Sequence, residues 1–239
     1  TYRFFRNATT AKTHDDFACA ELAQRSIYHD YADLFKESKY TMTTSGFSVG
    51  LLPEHNLTVV EATYQKYSTS KNWIFYRTGT EPSLHNSTKF RLAPLQKEVL
   101  QKLPQPSSIG HHLPSDEWLK ELMSSKFCLA IRGDTPHTRA LLRSVAAGCI
   151  PVVISDYYPK YAPTFPSSLD MRDFCIFISE KDFIDDPAAA LNQLTKLSPQ
   201  TIRAKLRAVR FAQRVVAGHH PETLLPAAFA KEALAQQPS

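Results

Sequence analysis

Phe127-Cys128-Leu129-Ala130-Ile131, then Arg132-Gly133-Asp134-Thr135-Pro136, then a helical stretch to Ala147-Gly148, then Ile150-Pro151-Val152-Val153-Ile154: these residues decide the fold. The first run is short, apolar and bounded by polar residues, as a strand buried on both faces must be. Thr135-Pro136 reads as an N-cap followed by proline at the first helical position, where the missing N–H costs nothing. Leu141, Leu142 and Val145 give the helix its buried side, and Gly148 supplies a left-handed stop. The run from Ile150 is the next strand. Strand, glycine loop, helix and strand in about 30 residues make a βαβ unit with a right-handed crossover.

Outward from this unit the same alternation continues. Trp73-Ile74-Phe75-Tyr76 is an aromatic buried strand that ends in the loop Arg77-Thr78-Gly79-Thr80. Phe90 to Leu103 has helical spacing at Leu92, Leu95, Val99 and Leu103, and Pro104 to Pro114 reads as a connection. Ser115 reads as the N-cap of a helix with Asp116 and Glu117 in its first turn. Phe174 to Ile178 reads as a strand and Pro187 to Leu194 as a short helix. A long helix is expected from Ser198-Pro199 to Gly218, with Ile202, Leu206, Val209 and Val216 on its apolar stripe. Strands alternating with helices over 72–218 predict an α/β fold, a doubly wound and mostly parallel sheet.

The ends are less regular. Phe17 to Phe35 reads as a helix, and Phe47 to Leu52 and Leu57 to Val60 as short strands. These do not close a domain of their own, so 1–71 is expected to be a partial lobe and 219–239 a tail rich in Ala, Gln and Pro.

Composition narrows the classes. The chain of 239 residues carries 28 Lys plus Arg against 23 Asp plus Glu, and 43% of it is apolar. That content offsets the entropy of ordering and excludes bulk disorder. No apolar run reaches the ~18 residues of a membrane span. The net charge of +5 permits an anionic partner without calling for nucleic acid. The chain begins at Thr1 with no apolar leader core, which reads as a processed product or a fragment. The sequons at Asn7, Asn56 and Asn86 favour glycosylation in the secretory pathway.

Cys19, Cys128, Cys149 and Cys175 are scattered, which argues against a zinc site. They read first as small buried core residues, with a single disulfide as the alternative. His111-His112 and His219-His220 lack a third ligand nearby, and no metal is expected. The basic face Arg203, Lys205, Arg207, Arg210 and Arg214 reads as solvated, or as attractive to an anionic glycan. Tyr157, Tyr158 and Tyr161 suit either stacking on a sugar ring or packing of a proline-rich loop.

In a doubly wound sheet, ligands sit beyond the carboxyl ends of the strands. Arg132, the amides around Gly133 and Asp134, Thr135 and Arg139 would together suit a diphosphate, with glycine letting backbone approach the ligand. The alternative is that Asp134 or Thr135 only caps the helix while the arginines pair with surface acids.

Several of these segments also carry a resemblance. Ser124-Ser125-Lys126-Phe127-Cys128-Leu129, Arg132-Gly133-Asp134-Thr135-Pro136, Arg139 and Ala147-Gly148-Cys149-Ile150-Pro151-Val152-Val153-Ile154-Ser155-Asp156 closely resemble the exostosin family of glycosyltransferases. Leu169-Asp170-Met171-Arg172-Asp173-Phe174 and Trp73-Ile74-Phe75-Tyr76-Arg77-Thr78-Gly79 extend the resemblance over residues 72 to about 216. It implies the C-terminal, nucleotide-sugar lobe of a GT-B fold with a shortened N-terminal lobe. It also implies transfer of a sugar from a UDP-sugar to a polysaccharide or glycoprotein glycan in the Golgi lumen. Arg77, Arg132, Gly133, Asp134, Thr135 and Arg139 would line the donor pocket. The glycan acceptor would be the partner, with a further protein chain completing the missing lobe.

Two departures from the family follow. Where it usually carries an acid able to hold ribose hydroxyls, this chain has Arg143, and a cation cannot accept those hydrogen bonds. The part before Asn72 is short for a lobe that supplies acceptor contacts and a base. No catalytic residue stands out there, since Asp15, Asp16, Glu54 and Glu61 read as solvated charges. The competing reading is a catalytically degenerate exostosin-fold module with a binding or structural role.

Overall fold

The computed structural model describes residues 58–80, 86–133, 138–161 and 163–235. The readings at Phe17–Phe35 and Phe47–Leu52, the sequons at Asn7 and Asn56, Cys19, Asp134 and Thr135 lie outside the described residues.

In chain order the elements are α1 (Tyr64–Thr69), β1 (Asn72–Arg77), α2 (Asn86–Leu92), a 3-10 turn (Ala93–Leu95) and α3 (Lys97–Leu100). Next come β2 (Ser108–Gly110), α4 (Ser115–Met123), β3 (Ser125–Ile131), α5 (Arg139–Ala146) and β4 (Ile150–Ile154). Then follow α6 (Tyr158–Tyr161), α7 (Met171–Phe174), β5 (Ile176–Phe177), α8 (Glu180–Asp185) and α9 (Pro187–Asn192). The chain continues through a second 3-10 turn (Gln193–Lys196) to α10 (Pro199–Val216) and α11 (Leu225–Ala235).

The five strands form one parallel sheet in the order β2-β1-β3-β4-β5. This is a Rossmann-like α/β lobe of the kind expected. Ile74 pairs with Phe127, and Phe127 with Ile150, so all three share one face. That face is dry: Ile74, Phe127, Ile150, Val152 and Ile154 are fully buried. Phe75 and Cys128 share the opposite face and pack against Leu122 and Trp118 of α4, with the rings of Phe75 and Trp118 edge to face at 5.8 Å.

The departures from expectation have local causes. Phe90–Leu103 is one helix by spacing but breaks after Leu92 into a 3-10 turn, because Pro94 removes an N–H from the helical ladder. The connection 104–114 contains the edge strand β2, three residues long and too short to show a period. The expected strand 174–178 shrinks to Ile176–Phe177, because Asp170 caps a turn of helix that takes Phe174 into the core. Thr58–Val60 is not a strand. Val60 instead donates its N–H to the Ala146 carbonyl, 2.9 Å away. Pro114 rather than Ser115 precedes α4, and no side chain caps it. Of the segment from Pro226, the described residues to Ala235 lie within a helix, with proline in the first turn where it is tolerated. Its Phe229 ring meets Phe165 edge to face at 5.2 Å, and its Glu232 accepts from the Ser167 backbone N–H at 2.7 Å.

Gly148 does stop a helix as read. Its φ is +64°, and the N–H groups of Gly148 and Cys149 reach back to the carbonyls of Val145 and Ser144, the paired bonds of a Schellman motif. α10 opens on the Ser198 cap as expected but ends on an extended Ala217, and no left-handed Gly218 is involved.

The cysteines also differ from their first reading. Cys128 faces Pro151 across β3 and β4, and Cys149 lies two residues before Pro151, on the same side of the strand. The two sulfurs form a disulfide with Cα atoms 6.0 Å apart, buried in the cluster under Trp118, while Cys175 is a free buried thiol. Bridging a separation of 21 residues restricts the unfolded chain by about 3 kcal/mol. The Cys128→Ala/Cys149→Ala pair is therefore expected to lower the unfolding free energy, read from urea denaturation, by that much. A change under 1 kcal/mol would show the bridge to be energetically idle.

Candidate functional site

The strand order reverses at β1, whose neighbours β2 and β3 lie on either side. The carboxyl ends of β1 and β3, on either side of that reversal, flank the position at which doubly wound sheets bind ligands in a crevice. Two of the expected site residues stand there, Arg77 at the end of β1 and Arg132 directly after β3.

Arg132 is almost wholly buried, at 7% exposure. Its Nη1 meets both carboxylate oxygens of Glu180, at 3.2 and 3.0 Å, and its Nε donates to the Gly133 carbonyl at 3.2 Å. Glu180 sits at the first position of α8. Its Oε1 also accepts the Asp156 N–H, and Asp156 Oδ1 accepts the Glu180 N–H in return. Burial raises the Glu180 pKa, against the opposing pull of Arg132 and of the Asp156 N–H. Arg132 is thus tied to an acid and stitches the carboxyl ends of β3 and β4 to α8.

Arg77 is held differently. Its Nη2 donates to Ser108 Oγ at 2.8 Å and its Nη1 to the His111 carbonyl at 3.5 Å, while its buried Nε has no hydrogen-bond partner. A Cβ at Gly110 would stand 2.5 Å from Nη1, so glycine there makes room for the guanidinium. Burial lowers the Arg77 pKa, and the charges of Glu121 and Glu117 oppose that shift. Arginine stays charged at any working pH.

A third guanidinium, Arg91 of α2, was not legible in the sequence. Its Nε donates to the Arg132 carbonyl at 3.2 Å and its Nη1 to Thr80 Oγ1 at 3.4 Å, so it spans the β1 and β3 loops. Its own carbonyl accepts from the Tyr76 hydroxyl at 3.1 Å. Burial pushes that hydroxyl up to about 12, so it keeps its proton. The gap left by Gly133 is filled by the protein itself: a Cβ there would lie 1.9 Å from Arg91 Nη2. Only the periodicity of Phe90–Leu103 marked this segment, and periodicity says nothing of where a polar side chain on it will reach.

Arg139 is the first residue of α5 and is exposed. The helix begins there, capped by the Thr138 side chain on the Ala140 N–H, and Thr138 itself is extended. It therefore starts three residues later than the Thr135-Pro136 signal suggests. Arg143, at the position of the family's usual acid, lies over the Trp118 ring at 5.3 Å and braces α5 against α4.

The other polar groups resolve simply. Tyr158 is 1% exposed and belongs to the core, not to a sugar-stacking surface. On α10, Arg203 lies over Tyr64, Arg210 pairs with Glu61, Arg214 with Glu222, and Lys205 donates to the Arg172 carbonyl. His112 packs on Gly79, and His220 Nδ1 accepts from the Glu222 N–H. Among the described residues no group of three or more His, Cys, Asp or Glu side chains is placed to hold a metal ion. No helix among them is long and apolar enough to cross a membrane.

The Exostosin GT47 domain model matches residues 51–194, which include β1 to β5. Xyloglucan-specific galacturonosyltransferase 1 of Arabidopsis thaliana is 29% identical over 91 residues, which are 38% of this chain and 13% of that protein. Probable arabinosyltransferase ARAD1 of the same plant is 30% identical over 95 residues, 40% of this chain and 20% of its own length. Probable xyloglucan galactosyltransferase GT19 is 27% identical over 151 residues, 60% and 34% respectively. The matched parts thus span between about an eighth and a third of these relatives. The family match covers more than half of the chain, and on that ground the chain belongs to the exostosin GT47 family.

Proposed function

We propose that this chain carries the donor-binding lobe of a glycosyltransferase that moves a sugar from a UDP-sugar to a polysaccharide or glycoprotein glycan. One observation carries the reading. At the β1/β3 crevice, Arg77 and Arg91 are held by hydroxyl and carbonyl oxygens, and among the described residues neither forms an ion pair with an acid. Guanidinium groups positioned in advance by neutral oxygens suit a diphosphate, whose negative charge grows as the glycosidic bond to it breaks. Arg139 at the rim and the segment carrying Asp134 and Thr135 would complete the pocket. The relatives' names support a glycan acceptor of the plant cell-wall kind. The proposed place of work is the secretory pathway, in the Golgi lumen. A further chain or segment would supply the acceptor lobe, leaving 72–218 as the nucleotide-sugar unit.

The test is turnover. The protein complete with its acceptor lobe is incubated with UDP-galactose, UDP-galacturonate and UDP-arabinose plus xyloglucan or arabinan, and released UDP is measured. Acceptor-dependent UDP release with one donor is the expected result. The position of Arg143 favours a second reading, a binding module that has lost transfer. UDP binding without release in any combination would select that reading.

A further inference from the structure

Resting on the reading of the crevice as a diphosphate site, we propose that Arg91 is a binding residue of that site and receives the anionic group directly. Three arginines stand at the crevice, and their surroundings assign them different work. Arg132 has its charge met by Glu180 and is built into the frame. Arg77 spends both Nη atoms on β2 and its connection, so its guanidinium is fixed to the sheet edge. Among the described residues, Arg91 bridges the segments that follow β1 and β3. It meets the Arg132 carbonyl on the β3 side and the Thr80 hydroxyl on the β1 side, and among the described residues no carboxylate pairs with it.

Its Nη2 makes none of those bonds and points toward Gly133, in the space that any larger residue would claim. Glycine at 133 is then needed for the placement of a guanidinium rather than for close approach of backbone to ligand. The ion is weakly hydrated and planar, and it is already oriented at both edges. It loses little freedom when an anion docks on the remaining donors.

Isothermal titration of the whole chain with UDP, and separately with inorganic pyrophosphate, tests this. Arg91→Met is expected to weaken both by at least tenfold, while the ligand-free melting temperature moves by less than about 5 °C, roughly 1–2 kcal/mol for a chain of this size. Gly133→Ala is expected to weaken both by three- to tenfold. It displaces only the far end of a flexible side chain, so the fold tolerates it. If wild type binds UDP and both variants bind it within twofold of wild type, the assignment of Arg91 is wrong and the donor reading stands.

If wild type binds pyrophosphate through Arg91 but UDP no more tightly, the residue is right and the nucleotide is wrong. If wild type binds neither, both fall. Should Arg91→Met fail to fold, Arg91→Lys keeps the charge without the fork. A three- to tenfold loss supports the proposal, and wild-type affinity refutes it.

Discussion

Gln213→Leu is expected to cost about 4 kcal/mol, lowering the melting temperature by roughly 10–15 °C for a domain of this size. Gln213 is fully buried on α10. Its Nε2 donates to the Val60 carbonyl at 2.6 Å and to those of Val145 and Ala146 at 2.9 and 3.2 Å, and its Oε1 accepts the Ala62 N–H at 3.2 Å. One side chain thereby fastens 60–62 to the end of α5. Leucine has nearly the same bulk but neither donor nor acceptor. Val145 and Ala146 keep backbone partners in Gly148 and Val60. The Val60 carbonyl and the Ala62 N–H lose theirs, at about 1–3 kcal/mol for each buried group left unpaired. Gly148 makes the junction tighter still, since a Cβ there would lie 2.4 Å from the Val60 carbonyl oxygen. Urea unfolding reads the result directly. A midpoint shift equivalent to less than 1 kcal/mol would mean that water replaces these bonds and that 58–63 is not fastened by Gln213.

The second large effect concerns Arg132. Replacing it with methionine preserves the volume of the stem but leaves Glu180 buried without its cation, with 14% of its side chain exposed. Breaking one half of such a pair costs about 3–5 kcal/mol. The pH dependence has a definite sign. Burial already raises the folded-state pKa of Glu180 above its ordinary 4.5, despite Arg132. A carboxyl whose folded pKa is raised contributes stability below its unfolded pKa and loses that contribution as pH climbs through the folded value. Removing Arg132 takes away an opposing influence, so the folded pKa rises further and the acid form is favoured more strongly. The deficit of Arg132→Met against wild type is therefore expected to be largest near pH 7.5 and to shrink toward pH 4.5. Equal deficits at both pH values would mean that Glu180 finds another partner or water when the arginine is gone. Loss of UDP affinity in this variant would accompany loss of stability, which separates Arg132 from Arg91.

What the sequence disclosed, and what it withheld, follows from the range of each signal. β1, β3 and β4 are continuous apolar runs because helices cover both their faces, so a local window suffices to find them. Gly148 and Ser198 were legible for the same reason, since a cap is satisfied within a few residues. β2 was not, because a three-residue edge strand owes its existence to pairing with β1 rather than to its own composition. The start of α5 was misplaced because Thr138 and Thr135 offer the same capping chemistry. The disulfide needed the register of β3 against β4, which spacing alone does not supply.

The site shows the same division. Arg77 and Arg132 were found because strand ends are local features and the family motifs run through them. Arg91 and Glu180 are brought in by α2 and α8 from 41 and 48 residues away along the chain. No short motif links either to Arg132, yet they decide which arginine is neutralised and which keeps its charge.

On the proposed reading, the β1/β3 crevice of this lobe holds a uridine diphosphate. Thermal unfolding of the wild-type chain across a UDP titration tests it most directly. A ligand of the folded state stabilises by about 2.7 kcal/mol at a hundred times its dissociation constant. A saturable rise in melting temperature of roughly 5–10 °C is therefore expected, reduced at the same UDP concentration in Arg91→Met. A melting temperature that stays flat up to millimolar UDP would contradict the claim.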